Sequence, residues 1–482
     1  MPWLAGRMPR CNALAGGVAV EDHRVLDLLR KLTGPIGVPG MEDEVRQVLL
    51  ELVEPLADQI RVDALGNLIA VRRGRSPFRL MLDAHMDEVG FVVSYIDDQG
   101  FLRLAPLGGW DARIIPSHLV TVVADDGRRV PGVVGSTPPH ILDPEDSKKP
   151  HRLEDLFVDV GARSAAEVAA LGIRIGSPAV IAYPFVELDG RRVAARALDD
   201  RAGCAALVLL LERLAAGGEP PVTVVVNFAA AEEVGMRGAQ VAAYQIEPDL
   251  ALAVETTAAA DVPGVPPPRQ PTRMGAGPAL TVVDRSLVAD RRVVAALAAA
   301  ASEAGVPFQY RLPSAAGGTD AGAIQRSRAG VPAGVVSIPA RYIHAPYGVL
   351  DLDDLHRTVD LLEVFVRQCP LEGLGPAPAM PVVEDRSGGA LRRAAPGGDA
   401  GAAVGTAEAA GDGAPPRPQQ AGRRGRGRGR GSRPLRPGTK SDLFRQLYDQ
   451  GKSVLEIARE TNSPYSFVYG VIRRYRARRE QT

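Results

Sequence analysis

The stretch Arg196–Gly203, RALDDRAG, stands between a short β-type run and a long apolar helical segment, Cys204–Leu214. In open α/β sheets a carboxylate at a strand–helix junction reaches past the sheet edge, where such proteins assemble their sites. Taken alone, Asp199 and Asp200 read most simply as a helix cap or a solvated loop. They become chemistry only if other segments bring oxygen and nitrogen ligands to the same edge.

Working outward, the chain downstream alternates strands with helices. Strand Val222–Ala229, helix Gly238–Tyr244, strands Leu250–Val254 and Ala279–Val283, helix Asp290–Ala304, strand Gly334–Ile338 and helix Asp351–Val366 follow in order. Upstream, helical spacing marks Glu21–Leu32 and Glu42–Leu56, and short strands mark Ile60–Val62, Leu68–Val71 and Leu80–Asp83. The alternation predicts an α/β fold, a mostly parallel sheet flanked by helices on both faces. From 91 to 186 the texture changes to short apolar runs broken by Asp-Gly and Gly-Gly turns, which predicts a small inserted β-barrel-like domain. The main α/β domain is therefore expected over 21–90 and 187–370, with 1–20 a flexible tail.

The 482 residues carry 57 basic and 57 acidic side chains, but unevenly. Residues 421–482 hold 16 basic and 5 acidic groups, leaving 41 and 52 for the rest, so an acidic body carries a basic tail. Residues 371–437 are rich in Gly, Ala, Pro and Arg and bury too little apolar surface to order, so a disordered linker is expected there. Three widely separated cysteines in no metal spacing fit a reduced, cytoplasmic setting without disulfides. No apolar run reaches transmembrane length.

Four further segments place chemistry at strand ends. His85 lies directly after a strand in AHMDEVG with Asp87 two residues on, and Glu232 and Glu233 follow strand Val222–Ala229. Glu255 ends strand Leu250–Val254, and His344 lies in RYIHAP beyond strand Gly334–Ile338. Two imidazoles with several carboxylates suit borderline divalent metals such as zinc, cobalt or manganese. One bridging carboxylate, with one His and one carboxylate per ion, is the donor set of a hydrolytic two-ion site.

AHMDEVGF, ALDDRAG, AAEEVGMRGA, GGTDAGAI and RYIHAP, with PGVVGSTPPH and EDLFVDVGA between them, together resemble the tetrahedral (glutamyl, deblocking) aminopeptidase family of the dinuclear zinc exopeptidase clan. The resemblance spans roughly Val25–Val366 and implies a zinc-exopeptidase-like catalytic domain interrupted by a small β domain. It implies two divalent ions, zinc or cobalt, held by His85 and Glu255 on one side and by Glu233 and His344 on the other. Asp199 bridges them, Glu232 is the general base and acid, and Asp87 orients His85. Asp320 in GGTDAG and Arg341 belong near the substrate. The implied activity is removal of the N-terminal residue from short peptides by a homo-oligomer. The chain departs from the resemblance at Glu255-Thr256-Thr257, where relatives commonly have Asp followed by Val-Thr.

The tail carries a second signal. Arg426, Arg428 and Arg430 belong to an Arg-Gly repeat ending in a segment similar to AT-hook cores, a composition that binds nucleic acid with little sequence preference. Residues 438–482 then regain a pattern. Helix Asp442–Asp449 with Ser441 as N-cap, a Ser453–Glu456 capping box and an apolar stripe Phe467, Val468, Val471, Ile472 resemble a three-helix helix-turn-helix module. Tyr465, Ser466, Tyr469 and Arg473 are the expected contacts to duplex DNA. Two other readings stay open: a DNA-binding regulator whose peptidase-like body only senses a peptide or metal, and a carboxypeptidase or deacylase of the same clan.

Overall fold

The computed structural model describes residues 15–368 apart from 142, 144, 146–148, 190 and 314–316, then 371–376. Within 440–475 it describes all but 451, 462, 464–467, 469, 470, 473 and 474. The chain divides into two compact units, Met1–Val383 and Glu384–Thr482.

In the first unit, strands Val222–Ala229, Ser76–His85, Leu250–Ala258 and Ala333–Arg341 lie side by side and parallel. Their sequences are near-continuous apolar runs, as strands buried on both faces require. Val224, Val226, Leu80, Leu82, Leu252 and Val336 are all fully buried. Helices Leu198–Ala216, Leu352–Gln368 and Arg291–Ala304 contribute to the same core. Helix Leu198–Ala216 is buried on nearly every side from Ala202 to Val208, which its LVLLL run dictates.

The sheet is mixed, not mostly parallel. Both margins are antiparallel: strand Leu68–Arg72 pairs with Gln59–Val62 and Val222–Ala229, and strand Gly348–Asp351 pairs with Ala333–Arg341 and Arg192–Ala195. The connections dictate this. Asp63–Gly66 is a tight turn whose Asp63 side chain accepts from the Leu65 and Asn67 amides, and so short a link allows only an antiparallel return. The first helix, Ala15–Thr33, starts inside the stretch read as a tail; Ala-rich sequence extends a helix at little cost.

The strands Gly90–Ile96, Leu102–Leu107, Phe157–Asp159, Arg129–Gly135, Leu119–Val123 and Pro178–Ile181 close into a barrel in that order. Phe91, Leu102, Val120, Val122, Val158 and Ile181 fill it. Its Leu119–Val123/Arg129–Gly135 hairpin turns at Gly127, whose φ of 81° lies in the left-handed region that glycine enters without strain.

Arg201, the second arginine of RALDDRAG, is fully buried. Its Nε donates to the Met86 carbonyl and its Nη1 to the Leu32 carbonyl, both at 2.6 Å. The Glu88 carboxylate sits between Arg201 and Arg196, and the Glu88 amide donates to the Gly37 carbonyl at 2.9 Å. The cluster pins the 33–40 loop and the segment after His85 beneath the aspartates. Arg201→Met strands buried acceptors and unbalances a buried ion pair, so a stability loss of about 3 kcal/mol or more is expected in urea unfolding. A loss below about 1 kcal/mol would contradict that structural role.

In the second unit, helices Lys440–Asp449 and Val454–Glu460 pack through Phe444, Leu447, Ile457 and Ala458, joined by Val468, Val471 and Ile472. Ser453 and Glu456 form the expected capping box. Ser441 lies inside the first helix rather than capping it, because Lys440, a good helix former, continues the helix back past it. Arg426, Arg428, Arg430, Tyr465, Ser466, Tyr469 and Arg473 lie outside the described residues, as does 377–437 of the expected linker. The start of that linker is ordered instead: Leu371–Leu374 forms a short 3-10 turn with Leu371 buried in the core. Among the described residues no helix is long and apolar enough to cross a membrane.

Candidate metal centre and active site

The parallel strands deliver their C-terminal ends to one edge. His85 is the last residue of its strand and lies in register with Ala229, while Glu255 lies in register with Ser337. After Ala229 the chain turns through Ala231 at φ 54° and presents Glu232 and Glu233. After Arg341 it turns through Tyr342 at φ 61° and His344 at φ 56°. Asp199 and Asp200 keep non-helical φ/ψ ahead of the regular helix.

These turns gather the side chains. His85 Nε2 lies 3.4 Å from Asp199 Oδ1, and His344 Nε2 lies 3.5 Å from Asp199 Oδ2. His344 Nε2 is also 3.4 Å from Glu233 Oε1. Two groups result, Asp199 with Glu233 and His344, and His85 with Glu232 and Glu233, each with its donor atoms within 4.8 Å of one another. One cleft is lined by all six of His85, Asp199, Glu232, Glu233, Glu255 and His344. Glu255 stands slightly apart: its Oε1 accepts from the Asp320 amide at 2.7 Å, and Glu232 takes the place nearer His85.

Asp87 does more than its sequence position implies. Its carbonyl lies 3.1 Å from His85 Nδ1. Its carboxylate accepts from the backbone amides of both Glu232 and Glu233, at 2.9 and 3.0 Å. A single buried residue therefore fixes the imidazole through its carbonyl and the Glu-Glu turn through its carboxylate. Asp200 is likewise internal, accepting from the Gly203 amide and from Thr256 Oγ1, each at 3.1 Å. A Cβ on residue 203 would fall 2.3 Å from the Val254 carbonyl, so only glycine fits that crossing.

The two expected substrate contacts are placed elsewhere. Asp320 is fully buried behind Glu255 and does not line the cleft. Arg341 is engaged by both Asp261 oxygens, at 2.9 and 2.7 Å. Sequence reading missed Gly109, whose carbonyl, supplied from the barrel insertion, lies 3.2 Å from His344 Nδ1. No motif marks that contact, because it joins residues 235 apart.

Burial governs the protonation of the site. It lifts Glu232 to about 7 and Glu233 to about 8, against the pull of the imidazoles. Burial pulls His344 down, but Asp199 and Glu233 outweigh it and hold the ring at about 9. Glu232, Glu233 and Glu255, pushed up by burial, thus hold protons where a cation would otherwise balance the charge, while Asp199 is kept ionised by the two imidazoles beside it.

Residues 66–361 match the M42 glutamyl aminopeptidase family. The chain belongs to that family. It is similar to the glutamyl aminopeptidase of Lactococcus lactis, 32% identical over 346 residues covering 71% of this chain and 96% of that protein. The TET aminopeptidase structure of a marine-sediment Thaumarchaeota archaeon superimposes with a TM-score of 0.71 at 37% identity, over 73% of this chain and 99% of that one. The Pyrococcus horikoshii TET1 peptidase does so with a TM-score of 0.64 at 32% identity, over 72% and 100%. Family membership carries the α/β zinc-exopeptidase fold with its barrel and the enzyme class, an aminopeptidase.

M42 aminopeptidases are metal-dependent, and the residues present fit divalent cations. Glu233 Oε1 is buried without a hydrogen-bond partner among the described residues, which a cation would relieve. The donors are imidazole nitrogens and carboxylate oxygens, the set that borderline divalent ions accept.

Proposed function

We propose that this chain is a two-ion aminopeptidase that removes the N-terminal residue of short peptides. In this reading His85 and Glu255 would hold one ion and Glu233 and His344 the other, with Asp199 available to both. The observation that carries the reading is the convergence of these carboxylates and imidazoles on one cleft, with a buried Glu233 oxygen that makes no hydrogen bond and faces the His344 ring. Divalent ions held there would supply Lewis acidity to the scissile carbonyl and to the attacking water. Glu232 takes the proton of that water on its carboxylate and returns it to the leaving amine. Asp87 holds the Glu232 amide and the His85 ring in place while the proton moves. The Gly109 carbonyl of the barrel fixes the tautomer of His344, leaving its Nε2 free to ligate.

Hydrolysis of a panel of aminoacyl p-nitroanilides by protein supplied with zinc or cobalt tests this reading. No turnover across the whole panel would overturn it. The TET1 peptidase of P. horikoshii can assemble into a tetrahedron or a large octahedral shell, which supports a homo-oligomer here as well.

We further propose that residues 421–482 bind duplex DNA. The support is an excess of 16 basic over 5 acidic groups, joined to a capped helix pair with its own apolar cluster. Neutralising several phosphates makes such binding fall steeply with salt. Deleting 421–482 is expected to abolish DNA retention in a gel-shift assay at low salt while peptidase turnover persists. Equal retention by full-length and truncated protein would contradict the assignment.

A further inference from the structure

The wall of the cleft away from the ion-binding cluster holds two polar groups that the reaction above does not use. Strands Gln309–Arg311 and Ala279–Thr281 pair in parallel, with Arg311 opposite Thr281, and both residues line the cleft. Arg311 is half-buried, and its Nε and Nη1 are shielded from solvent with no hydrogen-bond partner among the described residues. Thr281 is buried, and its Oγ1 is likewise unpartnered. No carboxylate of the described residues pairs with Arg311. Arg285, on the rim of the same cleft, adds a second positive charge.

Guanidinium N–H groups shielded from water without a partner are costly, and a hydroxyl orphaned on the neighbouring strand adds to that cost. A planar guanidinium matches a carboxylate with two parallel N–H···O bonds, and a neighbouring hydroxyl donates a further bond to the same anion. The cluster of Asp199, Glu232, Glu233 and Glu255 across the cleft suits cations and the free α-amino group of a peptide. The cleft is therefore polarised along its length, acidic at the reacting end and basic at the wall.

We propose that Arg311 and Thr281 form a carboxylate subsite that sets which peptides this aminopeptidase prefers. The proposal rests on the aminopeptidase reading and deepens it. Two carboxylates of a short peptide have the required chemistry: the side chain of an acidic N-terminal residue, and the C-terminal carboxylate of a dipeptide. A subsite built to hydrogen-bond an anion rejects the neutral analogue, because its own polar groups are then left unpaired.

The test compares full-length metal-loaded enzyme with Arg311→Met and Thr281→Val. The substrates are glutamyl and leucyl p-nitroanilide, and Leu-Gly with its C-terminal amide. For the substrate whose carboxylate is read, kcat/KM is expected to fall about 10- to 100-fold in Arg311→Met and by a smaller factor in Thr281→Val, well beyond any change on its neutral counterpart. Arg311→Lys is expected to recover part of the loss, since it restores the charge without the planar fork. A selective loss on the glutamyl substrate places the side-chain carboxylate at Arg311, and a selective loss on Leu-Gly over its amide places the C-terminal one. Equal losses on all four substrates, or no loss in either variant, would overturn the subsite. Failure of the unmodified enzyme on every substrate would instead overturn the aminopeptidase reading beneath it.

Discussion

Glu232→Gln is expected to lower kcat by about 10²–10⁴-fold, the usual contribution of a positioned general base. The substitution keeps the shape and the backbone amide that Asp87 anchors at 2.9 Å, so the Glu-Glu turn should survive. What it removes is the carboxylate able to accept a proton, set beside His85 and lifted by burial to about 7. The same variant separates two roles for this side chain, because Glu232 lies with His85 and Glu233 within ligating range. Retention of the bound metal, measured by elemental analysis, is the expected companion result and assigns Glu232 to proton transfer. Loss of metal together with activity would make Glu232 a ligand, and full activity would remove it from the mechanism.

Chelation is expected to have an effect of similar size on activity and a visible one on stability. With the ions removed, only the two imidazoles and added protons are left to balance the charge of Asp199, Glu233 and Glu255. Ligands that bind only the folded chain stabilise it by mass action, by about 4 kcal/mol at a thousandfold excess over Kd. Exhaustive treatment with a chelator should therefore abolish peptide hydrolysis and lower the thermal midpoint by several degrees. Zinc or cobalt should restore both. Unchanged activity and midpoint after treatment, with metal shown absent, would contradict a metal-dependent site. Asp199→Asn is the matching variant, since Asp199 lies against both imidazoles at 3.4 and 3.5 Å.

Much of this site is legible before folding because its residues sit where strands end. His85, Glu232, Glu233 and Glu255 follow runs whose β character is unmistakable, and parallel pairing brings all their C-terminal ends to one edge. Less legible are contacts made by backbone across long separations. The Asp87 bonds to the Glu232 and Glu233 amides and the Gly109 carbonyl at His344 follow from how the loops cross, which spacing does not encode. Arg201 reads as one more arginine in a polar motif, yet it is fully buried and ties the 33–40 loop and the end of the first helix to the segment after His85. Asp320 has the opposite history: its motif points to substrate, while its carboxyl lies behind Glu255 and only its amide reaches the site. The antiparallel margins of the sheet were hidden for a simpler reason. A strand as short as Arg192–Ala195 or Gly348–Asp351 carries no periodicity that fixes its direction.

The central claim is cleavage at the N-terminal peptide bond through this acidic cleft. Mass spectrometry of one short peptide, with a free and with an acetylated N-terminus, tests it most directly. Metal-loaded enzyme is expected to release the N-terminal residue of the free peptide, then the next, and to leave the acetylated peptide intact. Internal cleavage, release from the C-terminal end, or equal hydrolysis of the acetylated peptide would contradict the account.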